Sequence, residues 1–172
     1  IHDNFVDHAD ALEAFRHEVK MAKAMQHKNV VRVDGWDEDQ SRYFIIMELL
    51  HGRPLDRYVH DKGVLPLHDV QRIVKAVGDA LTYAHTEERV VHCDVKPNNI
   101  FITEDDRVKV LDFGIARAVD PDTKTNWAGL PAAAPRYASP QRLNKEDPDF
   151  RDDVYGLACV AYELLTGEHP YK

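Results

Sequence analysis

Residues His92-Cys93-Asp94-Val95-Lys96-Pro97-Asn98-Asn99, followed by Asp112-Phe113-Gly114, put two carboxylates, an ammonium and an amide into two polar stretches joined by an apolar one. Phosphoryl transfer asks for this set. The transferred group spreads negative charge over its equatorial oxygens, so a protein acts on it mainly by positioning and by cationic and metal-ion stabilisation, with one carboxylate to orient the attacking hydroxyl. Taken only as polar turns between strands, Asp94 and Asn99 would cap backbone groups. That plainer reading does not explain why both stretches arrive in this order and at this interval.

The spacing Asp-x-Lys-Pro-x-Asn (Asp94, Lys96, Pro97, Asn99), then an apolar strand, then Asp-Phe-Gly, is long and chemically constrained. On it the chain resembles a eukaryotic-type protein Ser/Thr kinase, in phrasing similar to the bacterial members of that family. The resemblance implies an α+β class, a protein-kinase-like two-lobe fold. Residues 1–47 would form a partial small lobe of one helix and two strands, and residues 48–172 most of the mainly helical large lobe. It also implies ATP and Mg²⁺ as cofactors, with Mn²⁺ an alternative ion. Asp94 is then the catalytic base, Lys96 contacts the γ-phosphate, and Asn99 and Asp112 hold the metal. A protein substrate and ATP are the implied partners, and a homodimer stays open.

The elements that must position these residues are legible from periodicity. Over residues 9–25 the apolar Leu12, Phe15, Val19, Ala22 and Met25 recur at three- and four-residue steps, which predicts an amphipathic helix. Asp7 is its expected N-cap, and Asp10 suits the positive helix end. By resemblance this helix carries the glutamate that pairs with an ATP-anchoring lysine. The phrase Phe15-Arg16-His17-Glu18, in register with His27-Lys28-Asn29-Val30-Val31, makes that residue Glu18. A solvated helix face is the plainer reading of the same glutamate.

Residues 30–33 and 43–50 read as strands around a turn at 37–40. The second runs into Met47-Glu48-Leu49-Leu50, which by resemblance is the gatekeeper and the hinge whose backbone binds adenine, so Met47, Glu48 and Leu50 join the nucleotide-binding set. The Gly-rich loop and the lysine strand that the family places before the helix are not in the 172 residues, which begin at Ile1. The chain is therefore expected to be a core fragment, inactive by itself.

A short helix at 54–59 and a longer one at 67–86 follow, the latter with Val70, Ile73, Val74, Val77, Leu81 and Ala84 on one stripe. A strand at 89–91 delivers the loop 92–99. Strands at 100–102 and 108–111 form a hairpin around Thr103-Glu104-Asp105-Asp106, linking the base loop to the metal loop. Phe101 falls where the family packs an apolar side chain under the adenine ring. His92 is expected to pack and hydrogen-bond beneath Phe113 and is left out of the catalytic set. Cys93 replaces the arginine with which the family reads a phosphorylated activation loop, a charge-assisted role closed to a thiol.

Residues 115–141 resemble an activation segment. Its end, Ala133-Ala134-Pro135-Arg136-Tyr137-Ala138-Ser139-Pro140-Gln141, is similar to the family's Gly-Thr-Pro-x-Tyr-x-Ser-Pro-Glu. It departs from that pattern at Ala133, at Ala134, which removes a hydroxyl, and at Gln141, which removes a glutamate. A last helix is predicted from 151 to 165, closed by Gly167 and Pro170. By resemblance, Asp153 on it tethers the backbone of the catalytic loop from below.

Composition narrows the classes. An apolar content of 44% over 172 residues is enough for one domain core. Acids outnumber Lys+Arg 30 to 22, for a formal charge of −8, and no basic run stands out, which argues against nucleic acid. No apolar run reaches membrane-spanning length and no signal-peptide pattern opens the chain, so no membrane contact is expected from this segment. Cys93 and Cys159 read as reduced thiols of a cytoplasmic domain. The reading adopted is a Mg-ATP-dependent protein Ser/Thr kinase. The runner-up is a kinase-fold scaffold with weak or no catalysis, favoured by Cys93, Ala134 and Gln141. A small-molecule phosphotransferase fits less well, because Lys96 stands where such enzymes typically carry histidine and Ser139-Pro140 closes the segment.

Overall fold

In the computed structural model, residues 9–40, 42–113, 117–118 and 136–171 are described, with backbone alone at 9–12, 14, 18 and 117–118. Helix α1 (Ala9–Ala24) follows its apolar stripe. Val19 and Ala22 are buried with Val33, and Phe15, Trp36 and Ile45 pack around them. Phe15, Trp36 and Tyr43 meet with ring centroids 5.8–6.0 Å apart in edge and tilted geometry, the arrangement that ring quadrupoles favour. These contacts seat α1 on the antiparallel hairpin β1 (Val33–Asp39) and β2 (Arg42–Met47), whose register pairs Asp39 with Arg42 and Trp36 with Ile45.

Here the structure departs from the sequence reading. Val30 and Val31 are not in this strand: the Val31 N–H donates to the Val110 carbonyl at 2.9 Å, and Val110 N–H to the Asn29 carbonyl at 2.7 Å. The expected turn at 37–40 is instead strand as far as Asp39, and the chain turns at Gln40, where φ is 48°. β2 likewise stops at Met47, three residues earlier than expected from the apolar run to Leu50.

β3 (Gly52–Pro54), β5 (Ile100–Thr103) and β6 (Val108–Val110) form an antiparallel sheet in the order β3-β5-β6. Gly52, at φ 144°, lies so close to β5 that a Cβ there would be 2.2 Å from the Ile102 carbonyl oxygen. Pro54 ends β3 and starts α2 (Leu55–Lys62), its fixed φ suiting the entry to a helix. α3 (Leu67–Thr86) buries Val70, Ile73, Val77, Ala80, Leu81 and Ala84. The valine, isoleucine and leucine side chains among them contribute about 1.5–3 kcal/mol each on burial. They meet Ile100, Val108 and Val110 of the sheet and Val160 and Leu164 of α5 (Phe150–Thr166). β4 (Val90–Val91) pairs with β7 (Arg117–Ala118), and the short α4 (Pro140–Leu143) precedes α5. α5 opens on a capping box between Asp149 and Asp152 and ends at Gly167 in the left-handed conformation, φ 76°. Among the described residues no helix is long and apolar enough to cross a membrane.

Candidate active site

The loop 92–99 is held from below by α5. Val90 and Val91 are fully buried and lead into it. The backbone N–H groups of His92 and Cys93 then donate to the two oxygens of Asp153, each at 2.8 Å. Asp153 is 1% exposed, and His85 Nε2 on α3 lies 2.8 Å from its Oδ2. Cys93 has φ 65°, a conformation that costs about 1–3 kcal/mol for a non-glycine residue. Bonds to a buried carboxylate offset that cost. Gly156 of α5 lies under Val95, and a Cβ there would be 3.0 Å from the Val95 carbonyl oxygen.

His92 is fully buried and joins this loop to the next. Its Nε2 lies 2.9 Å from the Leu111 carbonyl oxygen and its Nδ1 lies 3.3 Å from the Asp94 N–H. Those partners assign the proton to Nε2, with Nδ1 as acceptor. Its ring packs on Phe113 at 4.5 Å between centroids. The packing role expected from the sequence is the one observed.

Asp94, Lys96 and Asn99 converge. Oδ2 of Asp94 takes Lys96 Nζ at 2.5 Å and Asn99 Nδ2 at 2.9 Å, and the same amide nitrogen donates to the Asp94 carbonyl oxygen at 2.9 Å. Asp94 and Asn99 are both 6% exposed, so these bonds lie out of bulk water, where they are stronger. The turn Pro97–Asn99 brings Asn99 back over Asp94, closed by the Asn99 N–H on the Lys96 carbonyl at 3.0 Å. Asp112 stands on the adjoining loop. Its neighbour Leu111 donates N–H to the Asn99 carbonyl at 2.8 Å and its other neighbour, Phe113, packs on His92, so Asp112 is pinned on both sides to loop 92–99. Its own side chain is exposed and its φ is 55°.

The residues expected at the nucleotide are placed less decisively. Met47 ends β2 and is exposed, Leu50 is half-buried, and Phe101 is half-buried on β5 opposite Pro54 and Lys109. Glu18 lies on α1, with its side chain outside the described residues. The Glu48 side chain is engaged elsewhere: Oε1 takes Lys109 Nζ at 2.6 Å and the Arg32 N–H at 2.9 Å. Burial works to raise this carboxyl, but the Lys109 ammonium and the Arg32 N–H outweigh it and hold it below the usual range.

Lys109 was missed in the sequence reading. Its side chain is 9% exposed and also donates to the Val30 carbonyl at 3.1 Å. A lone lysine in the apolar run Val108-Lys109-Val110 was the available signal, since such a residue must find a partner when buried. A cleft of about 410 Å³ bounded by Lys23, His27, Arg32, Glu48 and Lys109 contains none of Asp94, Lys96, Asn99 or Asp112, so cavity volume does not mark the site.

The donor set suits a hard divalent cation. With its nitrogen spent on Asp94, Asn99 has its amide oxygen left as a ligand, and Asp112 adds an exposed carboxylate. Mg²⁺ takes one or two such protein oxygens and completes its shell with phosphates and water. Among the described residues no three His, Cys, Asp or Glu side chains cluster as a self-sufficient metal cage.

A family model described as a protein kinase domain matches residues 2–172. The chain belongs to the protein kinase family. Its relatives include the serine/threonine-protein kinase PknB of Mycobacterium leprae, 37% identical over 161 residues that cover 91% of this chain and 26% of that protein. The probable serine/threonine-protein kinase PknB of Bifidobacterium longum is 37% identical over 171 residues, covering 93% and 24%. The chain thus spans about a quarter of the length of these curated relatives. Among solved structures, the kinase domain of PknI from Mycobacterium tuberculosis superposes with a TM-score of 0.78 at 27% identity, covering all of this chain and 64% of that one.

Proposed function

We propose that the protein transfers the γ-phosphate of ATP to a Ser or Thr hydroxyl of a protein substrate, with Mg²⁺, or Mn²⁺ in its place. The observation that carries the proposal is the convergence of Lys96 and Asn99 on one oxygen of Asp94, in a loop whose backbone is clamped by buried Asp153. In this reading the Asp94 carboxylate accepts the hydrogen bond of the substrate hydroxyl, orients it for attack and takes its proton. Lys96, with its ammonium already beside Asp94, neutralises charge on the transferred phosphoryl group. Asn99 and Asp112 hold the metal ion, which when bound screens the phosphate oxygens.

Glu18, Met47, Glu48, Leu50 and Phe101 belong to the nucleotide side of the same reading. Glu48 contributes through its backbone carbonyl, because its carboxylate is committed to Lys109 and its N–H donates to the Arg32 carbonyl at 2.9 Å. A small lobe over residues 1–47 is supported by the smaller apolar cluster, built on α1, β1 and β2, while Met25 and Val30 join the larger cluster of residues 55–164 across the 47/48 division. A cytoplasmic location fits the need for ATP and suits two buried cysteines, Cys93 and Cys159, that are not joined in a disulfide. The substitutions that favoured a scaffold are Ala134, outside the described residues, and Cys93 and Gln141. Cys93 meets Asp153 through its backbone N–H, which any residue but proline supplies.

Incubating the full-length protein with γ-labelled ATP, Mg²⁺ and a generic basic protein tests the proposal. Label on Ser or Thr of the substrate, lost in Asp112→Asn, is expected. Label found only on small-molecule acceptors, or unchanged in Asp112→Asn, overturns it.

A further inference from the structure

Asp153 has an immediate neighbour whose carboxylate is committed just as fully, to a different piece of chain. Asp152 is 8% exposed, and its Oδ1 accepts the Ser139 hydroxyl at 2.5 Å, a separation typical of a hydroxyl on a charged oxygen. Its Oδ2 accepts the Asp149 N–H at 2.8 Å. Ser139 is 3% exposed, and its oxygen also accepts the Arg142 N–H at 3.1 Å, so one hydroxyl caps α4 and ties it to α5. Two further contacts lie along the same helix. Tyr137 donates its hydroxyl to Glu163 at 2.5 Å, and Gly156, under Val95, also comes close to Tyr137: a Cβ there would be 3.6 Å from the Tyr137 carbonyl oxygen. Residues 136–144 and the loop 92–99 therefore rest on one face of one helix, each fixed by its own buried aspartate. Gln141, where the family's pattern has an acid, is exposed on this stretch and is not needed for the attachment.

We infer that Asp152, through the Ser139 hydroxyl, is a positioning residue that sets the stretch 136–144 at a fixed distance and angle from Asp94, so that a protein substrate lying along that stretch presents its hydroxyl to the base. The inference rests on the kinase reading for its catalytic consequence and on geometry alone for the attachment. The bond is intermolecular in none of its parts, and ATP does not enter it. Losing it weakens productive binding of the protein substrate and leaves ATP binding alone.

The test compares Ser139→Ala and Ser139→Thr with Asp149→Ala in the full-length protein. Asp149→Ala removes the side-chain cap on the Arg151 and Asp152 N–H groups but keeps the backbone N–H that the Asp152 carboxylate uses and leaves the Ser139 hydroxyl in place, so it is a control for loss of the helix cap without loss of the Ser139 bond. Ser139→Ala is expected to raise KM for the protein substrate about tenfold while KM for ATP stays within about twofold. Ser139→Thr restores the wild-type value, and Asp149→Ala does not move it. Backbone amide exchange at residues 141–144 should quicken in Ser139→Ala and not in Asp149→Ala. An unchanged protein-substrate KM in Ser139→Ala, or an equal rise in Asp149→Ala, overturns the inference. If the wild-type protein transfers no phosphate, the kinase reading fails, and unaltered exchange in Ser139→Ala then removes the attachment as well.

Discussion

The side-chain amide of Asn99 donates from one nitrogen to two oxygens of Asp94, Oδ2 and the peptide oxygen, each at 2.9 Å. One residue thereby fixes the carboxylate proposed as the base and leaves its own amide oxygen as a candidate metal ligand. Asn99→Ala removes both effects. The Mg²⁺ concentration giving half-maximal rate should rise about 10-fold or more, with a fall in kcat. Titrating rate against Mg²⁺ checks this, and an unchanged Mg²⁺ requirement would remove Asn99 from the metal set.

Asp153 accepts from the His92 and Cys93 N–H groups together, and its carboxylate is fully buried. Asp153→Ala leaves those donors and His85 without their partner. Breaking such a buried arrangement costs about 3–5 kcal/mol. Urea unfolding should show a loss of this size, and a loss below about 1 kcal/mol would mean that the loop is held by something else.

Two glycines separate close approach from mere permissiveness. At Gly52, φ is 144° and an added Cβ would sit 2.2 Å from a β5 carbonyl oxygen, so Gly52→Ala must push β3 off its sheet. Gly78, inside α3, has nothing within 4 Å of an added Cβ. Gly78→Ala should raise stability by about 0.5–1 kcal/mol, because alanine loses less backbone entropy in a helix. Thermal melts should move in opposite directions, and a stabilising Gly52→Ala would contradict the close approach.

The Glu48–Lys109 pair predicts a pH dependence of definite sign. The Glu48 carboxyl lies below its ordinary value of 4.5 when folded, so the pair's stabilisation is fully present above that value. It is lost as pH falls through the lower, folded value. The wild type should exceed Glu48→Gln by about 1–3 kcal/mol near neutrality, a hydrogen bond to a charged group being of that size. The gap should close as pH falls below 4.5 and through that lower, folded value. Urea midpoints for both proteins across this range test the sign, and a gap that widened on acidification would contradict it.

What the sequence disclosed and what it hid divide along local and non-local lines. The stripe on α3 and the Asp94-to-Asn99 spacing are encoded within one or two turns of chain, and both emerged where expected. The start of β1 did not. Val30 and Val31 look like strand on apolarity, but their backbone is taken by Val110, and the ladder instead forms through the polar Asp37-Glu38-Asp39, where only the partner strand supplies the reason. The Glu48–Lys109 pair joins residues 61 apart, and the Ser139–Asp152 bond depends on how α5 lies under residues 136–144. Neither leaves a periodic trace. Asp7, Ala133 and Ala134 lie outside the described residues.

The most direct test is the rate of γ-phosphate transfer to a protein substrate by the full-length protein and by Asp94→Asn, which keeps the shape of the side chain and removes its capacity to take a proton. With Asp94 as base, kcat should fall by about 10²–10⁴-fold while the melting temperature and ATP affinity stay near wild type. Transfer by Asp94→Asn at the wild-type rate would contradict the assignment on which the proposed function stands.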